Sequence, residues 1–189
     1  ATAAVSGGMA LSLYVRETEA AETGTGMVRV NARPWLPPAE GGVEVNPWIV
    51  IAPDDRVVIR VNQSDLGQGV LTSNPMMIAE ELECDWSKVQ SVYAEPNRHM
   101  REHELYDHLH TEASSSVRLG RVLYQQAGAS ARERLKAAAA QQWKVPASEV
   151  EAKNSVLTHK PTGRTLRFGE VAAKAAAIKL DREPAIKTP

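Results

Sequence analysis

Apolar residues first gather in two β-rich runs, Trp48–Ile51 and Arg56–Val61, with Pro53-Asp54-Asp55 between them. Turn chemistry between two such runs predicts a hairpin. The second run alternates only in part, which predicts cover on both faces over part of its length. A short polar loop over 62–70 follows. Thr72-Ser73-Asn74 supplies N-cap residue types and Pro75 suits a first helical position, so the pattern predicts a helix over 75–83. Met76, Ile78, Ala79 and Leu82 are its expected buried side. Lys88–Ala94 reads as another strand, and 95–113 as a long polar loop with four of the five histidines. Beyond Ser114-Ser115-Ser116, residues Val117, Gly120, Tyr124, Ala127, Ala131, Leu135 and Ala138 recur at spacings of three and four. They predict one face of a long helix over about 116–143. Much of that face is small, so a neighbouring element can approach closely. Pro146 stops the helix. A small hairpin is predicted around Asn154-Ser155, from Val150–Ala152 and Val156–His159, then a turn at Pro161-Thr162-Gly163 and a short helix over 168–177.

The ends differ from this middle. Residues 1–15 are small and apolar, and read either as the hydrophobic stretch of an export signal without its basic front or as an ordinary strand or chain end. Residues 16–45 are polar and rich in Gly and Pro, an extended linker. Regular structure is expected over 46–178, and 179–189 is a polar tail.

Size and composition narrow the options. The 189 residues suit one domain or slightly more. Apolar residues make up 43% and charged residues 24%, enough for a core. The net charge of -1 argues against a nucleic-acid platform. No apolar run reaches the roughly 18–20 residues of a membrane span. The single cysteine, Cys84, excludes an internal disulfide and an iron–sulfur cluster held by this chain alone. Cys84 is expected to be a small core residue, and Trp86 and Trp143 packing residues.

Two short stretches carry candidate chemistry. In Gly67-Gln68-Gly69, between a strand and a helix, the glycines allow positive φ and close approach of a ligand. The N–H groups of the following helix favour an anion there, and Gln68 adds a donor and acceptors. A tight turn without a ligand satisfies the same pattern. Thr111-Glu112-Ala113-Ser114-Ser115-Ser116 places three hydroxyls at a helix start, where one suffices for capping. The others are free to hold phosphate or polar ring atoms. Two such starts can converge on one anionic ligand without a lysine.

The residues Ser64-Asp65-Leu66-Gly67-Gln68-Gly69-Val70-Leu71-Thr72, Ile78-Ala79-Glu80-Glu81-Leu82 and Asp85-Trp86-Ser87-Lys88-Val89 resemble the large subunit of molybdenum hydroxylases, the xanthine dehydrogenase and aldehyde oxidase family. The resemblance runs on through Ser114-Ser115-Ser116-Val117-Arg118, Gly128-Ala129-Ser130-Ala131-Arg132, Ala138-Ala139-Ala140, Trp143-Lys144-Val145-Pro146 and Val156-Leu157-Thr158-His159. It follows the isoquinoline 1-oxidoreductase branch, which includes exported aldehyde dehydrogenases, in uninterrupted order over roughly 46–178. It implies that Gly67, Gln68, Gly69, Ala113, Ser114 and Ser116 touch a molybdenum–molybdopterin cofactor, in the cytosine dinucleotide form. It implies oxidation of an aldehyde or N-heteroaromatic substrate with water as the oxygen source. It further implies a periplasmic location, an iron–sulfur small subunit carrying 2Fe-2S clusters, and in exported members a cytochrome c with haem c as electron acceptor, with membrane association through such partners. Family large subunits are several times longer, so a split subunit, a processed piece or a fragment is expected, with the remainder of the catalytic subunit as partner. The family's catalytic glutamate lies outside this stretch. Glu80 and Glu81 are expected on a helix and partly solvated.

The expected fold is α+β: a small mixed sheet, one medium helix, one long helix and a minor hairpin, part of a larger molybdopterin-binding subunit. Alone, it is expected to expose the small-residue face of the long helix and the cofactor loops. Two alternatives stay open. One is a non-catalytic module for a phosphate-bearing nucleotide. The other is an interaction domain with a zinc site from His99 and His103, four apart, or His108 and His110, with Glu102 or Asp107 near. A polar surface loop accounts for the same histidines.

Overall fold

The computed structural model describes residues 41–187. The expected export remnant at 1–15 and nearly all of the expected linker lie outside the described residues. A strand, β1 (Val43–Asn46), occupies the last residues assigned to that linker. It pairs antiparallel with β2 (Ile49–Ile51), which pairs antiparallel with β3 (Val57–Val61). The turn between β2 and β3 uses Asp55 at a φ of 68°. Helix α1 (Val70–Leu82) then crosses over to β4 (Val89–Tyr93), which lies parallel to β3. The sheet order is β1-β2-β3-β4, so this is the expected mixed sheet. All five residues of β3 are buried, as its incomplete alternation predicts.

The long predicted helix is divided. A one-turn helix, Ser115–Arg118, is followed by a bend at Leu119-Gly120 and then by Arg121–Trp143. A Cβ at Gly120 would lie 2.5 Å from the Ser116 carbonyl oxygen and 2.6 Å from the Tyr124 ring, so the bend rests on the absence of a side chain there. In chain order the helices after α1 are α2 (Pro96–Arg101), α3 (Ser115–Arg118), α4 (Arg121–Trp143) and α5 (Phe168–Ala176). The predicted polar loop over 95–113 therefore contains a helix. It also sends Arg98, His99, Leu105 and Tyr106 into the interior.

Helix α4 is the centre of the fold. Tyr124, Ala127, Ala131, Leu135 and Ala138 are completely buried, whereas Val117 is exposed beyond the bend. At Gly128 the helix lets α1 approach so closely that a Cβ there would sit 2.4 Å from the Ile78 carbonyl oxygen. The face expected to be exposed in isolation is thus covered by elements of the chain itself. Trp48 packs edge-on against Tyr106 at 5.2 Å and Tyr124 at 5.6 Å. Each fully buried aliphatic side chain in this core contributes about 2 kcal/mol.

A second sheet, β5 (Val150–Lys153), β6 (Val156–His159) and β7 (Thr165–Arg167), carries the predicted hairpin plus a third strand. Its turn at Asn154-Ser155, with φ of 48° and 61°, enters the body of the molecule. There Ser155 donates its N–H to the Glu83 carbonyl, accepts the Asp85 N–H on its hydroxyl, and accepts the Phe168 N–H on its carbonyl. Asp55 makes a second junction: buried, it accepts from Arg167, Lys88 and the Gly169 N–H. Among the described residues no helix is long and apolar enough to cross a membrane.

Candidate functional site

The chain leaves β3 at Val61 and enters α1 at Val70 through the glycine loop. Gly67 and Gly69 take φ of 98° and 83°, which disfavours any side chain. No atom lies within 4 Å of a Cβ built on either, so the space above both is open. Asp65 organises the turn. Its Oδ1 accepts the N–H groups of Gly67 at 2.8 Å and Gly69 at 3.2 Å, and its Oδ2 accepts that of Leu71 at 3.2 Å. These three donors hold its carboxyl below the usual carboxylate range. The N–H groups of Gly67, Gly69 and Leu71 are therefore held by the chain's own carboxylate. This arrangement explains why α1 starts five residues before Pro75. With Asp65 serving the first turn, Thr72-Ser73-Asn74 is not a cap, and Pro75 sits inside the helix. On this helix Ile78, Ala79 and Leu82 are buried as predicted, but Met76 is exposed.

Gln68 is folded back on the loop. Its Oε1 accepts the Leu66 N–H, and its Nε2 donates to the Ser64 carbonyl at 3.0 Å. The same carbonyl accepts the Thr111 hydroxyl at 2.9 Å. One backbone oxygen thus joins the loop of Gly67, Gln68 and Gly69 to the loop of Ala113, Ser114 and Ser116. In the second loop Ala113 and Ser114 take φ of 48° and 52°, a conformation disfavoured for side chains. Ser115 alone is committed, its N–H and hydroxyl both donating to the Glu112 carbonyl. Ser114 occupies the cap position of α3 without making a side-chain cap. Among the described residues neither the Ser114 nor the Ser116 hydroxyl has a hydrogen-bond partner. The two loops thus carry the exposed Ser114 hydroxyl, the buried Ser116 hydroxyl, one invertible amide and an open glycine turn, a donor set suited to a polar ligand.

Leu66 on the first loop, Val117 and Leu119 on α3 and its bend, and Val122 at the start of α4 are exposed. Tyr93 is also half exposed, and its hydroxyl accepts the Asp65 N–H at 3.2 Å. An apolar rim therefore accompanies the loops.

The histidine segment does not form the expected pair. His99 is buried in α2, and its Nδ1 accepts the Tyr106 N–H at 3.2 Å. The helix ends at Arg101, and His103 follows at a φ of 54°, so the two are not on successive helical turns. Among the described residues no three His, Cys, Asp or Glu side chains are placed to hold a metal. Instead Arg98 grips Glu44 through two nitrogens, at 2.6 and 2.8 Å, and Glu102 at 2.8 Å; Arg60 also pairs with Glu44. These charged partners raise the Arg98 pKa against the opposing effect of burial, and the cluster is structural. Cys84 is a core residue as expected. Trp143 packs against the core, but Trp86 is exposed. Glu80 is solvated, whereas Glu81 is fully buried and paired with Arg132 at 3.0 Å. The expected partial solvation of Glu81 is thus overturned, because the residues of the polar tail fold over it. The Lys187 N–H donates to its Oε1 at 2.9 Å.

Sequence comparison places these loops in context. The molybdopterin cofactor-binding domain family matches residues 5–188. The isoquinoline 1-oxidoreductase subunit beta of Brevundimonas diminuta is 32% identical over 137 residues, 72% of this chain and 18% of that protein. The membrane-bound aldehyde dehydrogenase [pyrroloquinoline-quinone] of Gluconacetobacter polyoxogenes is 27% identical over 137 residues, 72% of this chain and 17% of that protein. The solved CO dehydrogenase of Oligotropha carboxidovorans aligns with a TM-score of 0.49 and 20% identity over 73% of this chain and 17% of its own. The chain therefore spans less than a fifth of the length of the curated relatives it matches. With a family match running through both loops and nearly the whole sequence, the chain belongs to the molybdopterin cofactor-binding domain family.

Proposed function

We propose that this chain is the molybdopterin-binding part of a molybdenum hydroxylase that oxidises an aldehyde or an N-heteroaromatic substrate, with water as the oxygen source. The observation that carries this reading is the meeting of the two loops at the Ser64 carbonyl, with Gln68 on one side and, on the other, the Ser114 and Ser116 hydroxyls, which have no partner among the described residues. These residues fit such a group: free donors and an open glycine turn match its phosphate and ring oxygens and nitrogens. When bound, the molybdenum–molybdopterin cofactor supplies a two-electron redox centre. Gln68 offers its amide to the polar edge of that ligand, Gly67 and Gly69 keep the approach clear, and the second loop holds phosphate or ring atoms from Ala113, Ser114 and Ser116. The cytosine dinucleotide form suits a site that spreads its donors over two loops.

The resemblance places the family's catalytic glutamate outside this stretch, and Glu81 is held by Arg132 and the Lys187 N–H. The base then belongs to the remainder of the catalytic subunit. One cysteine cannot hold an electron relay, so the electrons pass to a 2Fe-2S small subunit and onward to a cytochrome c. The apolar rim from Leu66 to Val122 is the surface these neighbours cover. The relatives named for isoquinoline and aldehyde oxidation support the substrate class, and the export-like residues 1–15 support a periplasmic site of action.

The test is metal and pterin analysis of the assembled enzyme. A lost hydrogen bond to a charged group costs about 1.5–3 kcal/mol. Gln68→Ala lowers turnover sharply, and Ser114→Ala combined with Ser116→Ala lowers retained molybdenum and pterin. Full loading and full turnover in a variant carrying all three changes would show the site to lie elsewhere.

A further inference from the structure

Beneath the two loops lies a buried polar cluster that none of the sequence motifs accounts for. Asn62, Gln63, Asn74 and Tyr124 are all at least nine-tenths buried. Asn74 projects from α1 and donates its amide to the Tyr124 hydroxyl at 2.9 Å and to Gln63 Oε1 at 3.1 Å. The Tyr124 hydroxyl, from α4, donates in turn to Asn62 Oδ1. Asn62 spends both amide protons on the next segment, donating to the carbonyls of Tyr106 and His108, each at 2.8 Å. The donors from Asn74 to Tyr124, Tyr124 to Asn62 and Asn62 to the carbonyls run one way, from α1 through α4 to the backbone that leads into Thr111–Ser116, with Gln63 Oε1 as a side branch that accepts from Asn74 and lies 3.2 Å from the Tyr124 hydroxyl. Aligned donors polarise one another, which strengthens each bond in such a chain. Burial pushes the Tyr124 phenol pKa up, so the hydroxyl stays a donor throughout the physiological range.

We infer that Tyr124, acting through Asn62 and Asn74, is a positioning residue that sets both cofactor loops at once. Asn62 opens the glycine loop and clamps the root of the serine loop, while the Ser64 carbonyl ties their tips. Neither loop is held in place by a regular ladder of its own, so the cluster supplies the reference from which both are measured. Its residues are buried, and they act through the backbone of 62–69 and 106–112. Tyr106 and Tyr124 both pack edge-on against Trp48, so the ring of Tyr124 has a packing role separable from that of its hydroxyl.

This inference rests on the reading that these loops hold the cofactor, and its test separates the two. In the assembled enzyme, Tyr124→Phe keeps the ring and removes the donor, and Asn62→Ser is a second variant should the first fold poorly. The expected result is faster amide exchange over 64–69 and 106–112 together, by about tenfold, with β5, β6 and α5 unchanged. Molybdenum and pterin dissociate faster by a similar factor. Faster exchange in one loop only, or an even rise across the fold, overturns the inference, because the first denies the coupling and the second is ordinary destabilisation. Unchanged cofactor release in Tyr124→Phe, while the Gln68 and Ser114 variants do release it, also overturns the inference and leaves the site assignment intact. If none of these variants alters release, the site assignment itself fails.

Discussion

Asp65 reaches into the first turn of α1, where its carboxylate accepts the Leu71 N–H at 3.2 Å. With Gly67 and Gly69 also donating, the side chain fixes the loop and starts the helix in a single arrangement. The donors stabilise the charged form, so the folded pKa lies below the unfolded value. The stabilisation is therefore fully present above the ordinary aspartate pKa and disappears as pH falls through the lowered folded value. Asp65→Asn is expected to melt below the wild type at pH 7, and the gap between their Tm values should close in strong acid. A gap that stays constant down to about pH 2 would mean that the charge has no part in it.

The burial of Glu81, in place of the expected partial solvation, changes what its replacement does. Removing one partner of a buried ion pair costs about 3–5 kcal/mol. Glu81→Ala should lose about the lower end of that range in denaturant unfolding, because the Lys187 N–H loses its acceptor while Arg132 keeps Glu133 and the backbone carbonyl of residue 81. Glu80→Gln, on the exposed side of the same helix, should stay within about 0.5 kcal/mol. Equal stability of the two variants would contradict the burial of Glu81.

The α1–α4 contact makes a sharp steric prediction. A methyl at position 128 meets the Ile78 carbonyl oxygen at 2.4 Å and the Glu81 Cβ at 2.7 Å, neither of which is a flexible side-chain tip. Gly128→Ala should destabilise by about 1–3 kcal/mol although alanine is the better helix former. A stabilised Gly128→Ala protein would place the helices further apart than described.

Cys84 is buried at the end of α1, where burial pushes its thiol up to about 12. At pH 8 only about one part in ten thousand is then thiolate, the reactive form. A thiol reagent should label it only as fast as the protein unfolds, with the rate rising on added denaturant. Rapid stoichiometric labelling of the native protein would rule out that environment.

The elements that the sequence reveals are those whose local signals are not contested. The hairpin of β2 and β3 was legible because Pro53-Asp54-Asp55 offers only turn chemistry, and α4 because Tyr124, Ala127, Ala131, Leu135 and Ala138 keep one helical face over four turns. The start of α1 was not, because it is set by Asp65, which lies outside the helix and holds the N–H groups of Gly67, Gly69 and Leu71. Strands β1 and β7 are short and gain their definition from partners, β2 and β6, rather than from their own alternation. Burial of Arg98 and His99 was hidden by their polarity, since only the distant Glu44 and the Tyr106 N–H make the interior tolerable for them. The six candidate site residues could be named from motif resemblance. The oxygen that joins their two loops could not, since a backbone carbonyl has no signature in sequence.

The placement of Ser155 bears on how such a fold can change over evolutionary time. A two-residue hairpin turn is ordinarily where extra sequence is accepted at little cost. Here it is a peg, bonded at its amide, hydroxyl and carbonyl to Glu83, Asp85 and Phe168. Added residues at Asn154-Ser155 would draw the peg from its socket and loosen the second sheet from the end of α1. The exposed turn at Lys160–Arg164, at the other end of the same sheet, bonds to its own sheet and to Glu149 and Trp143, and it makes none of the bonds to Glu83, Asp85 and Phe168 that hold Ser155. Lineages that lengthen this region, or engineers who graft a tag into it, will find their room there.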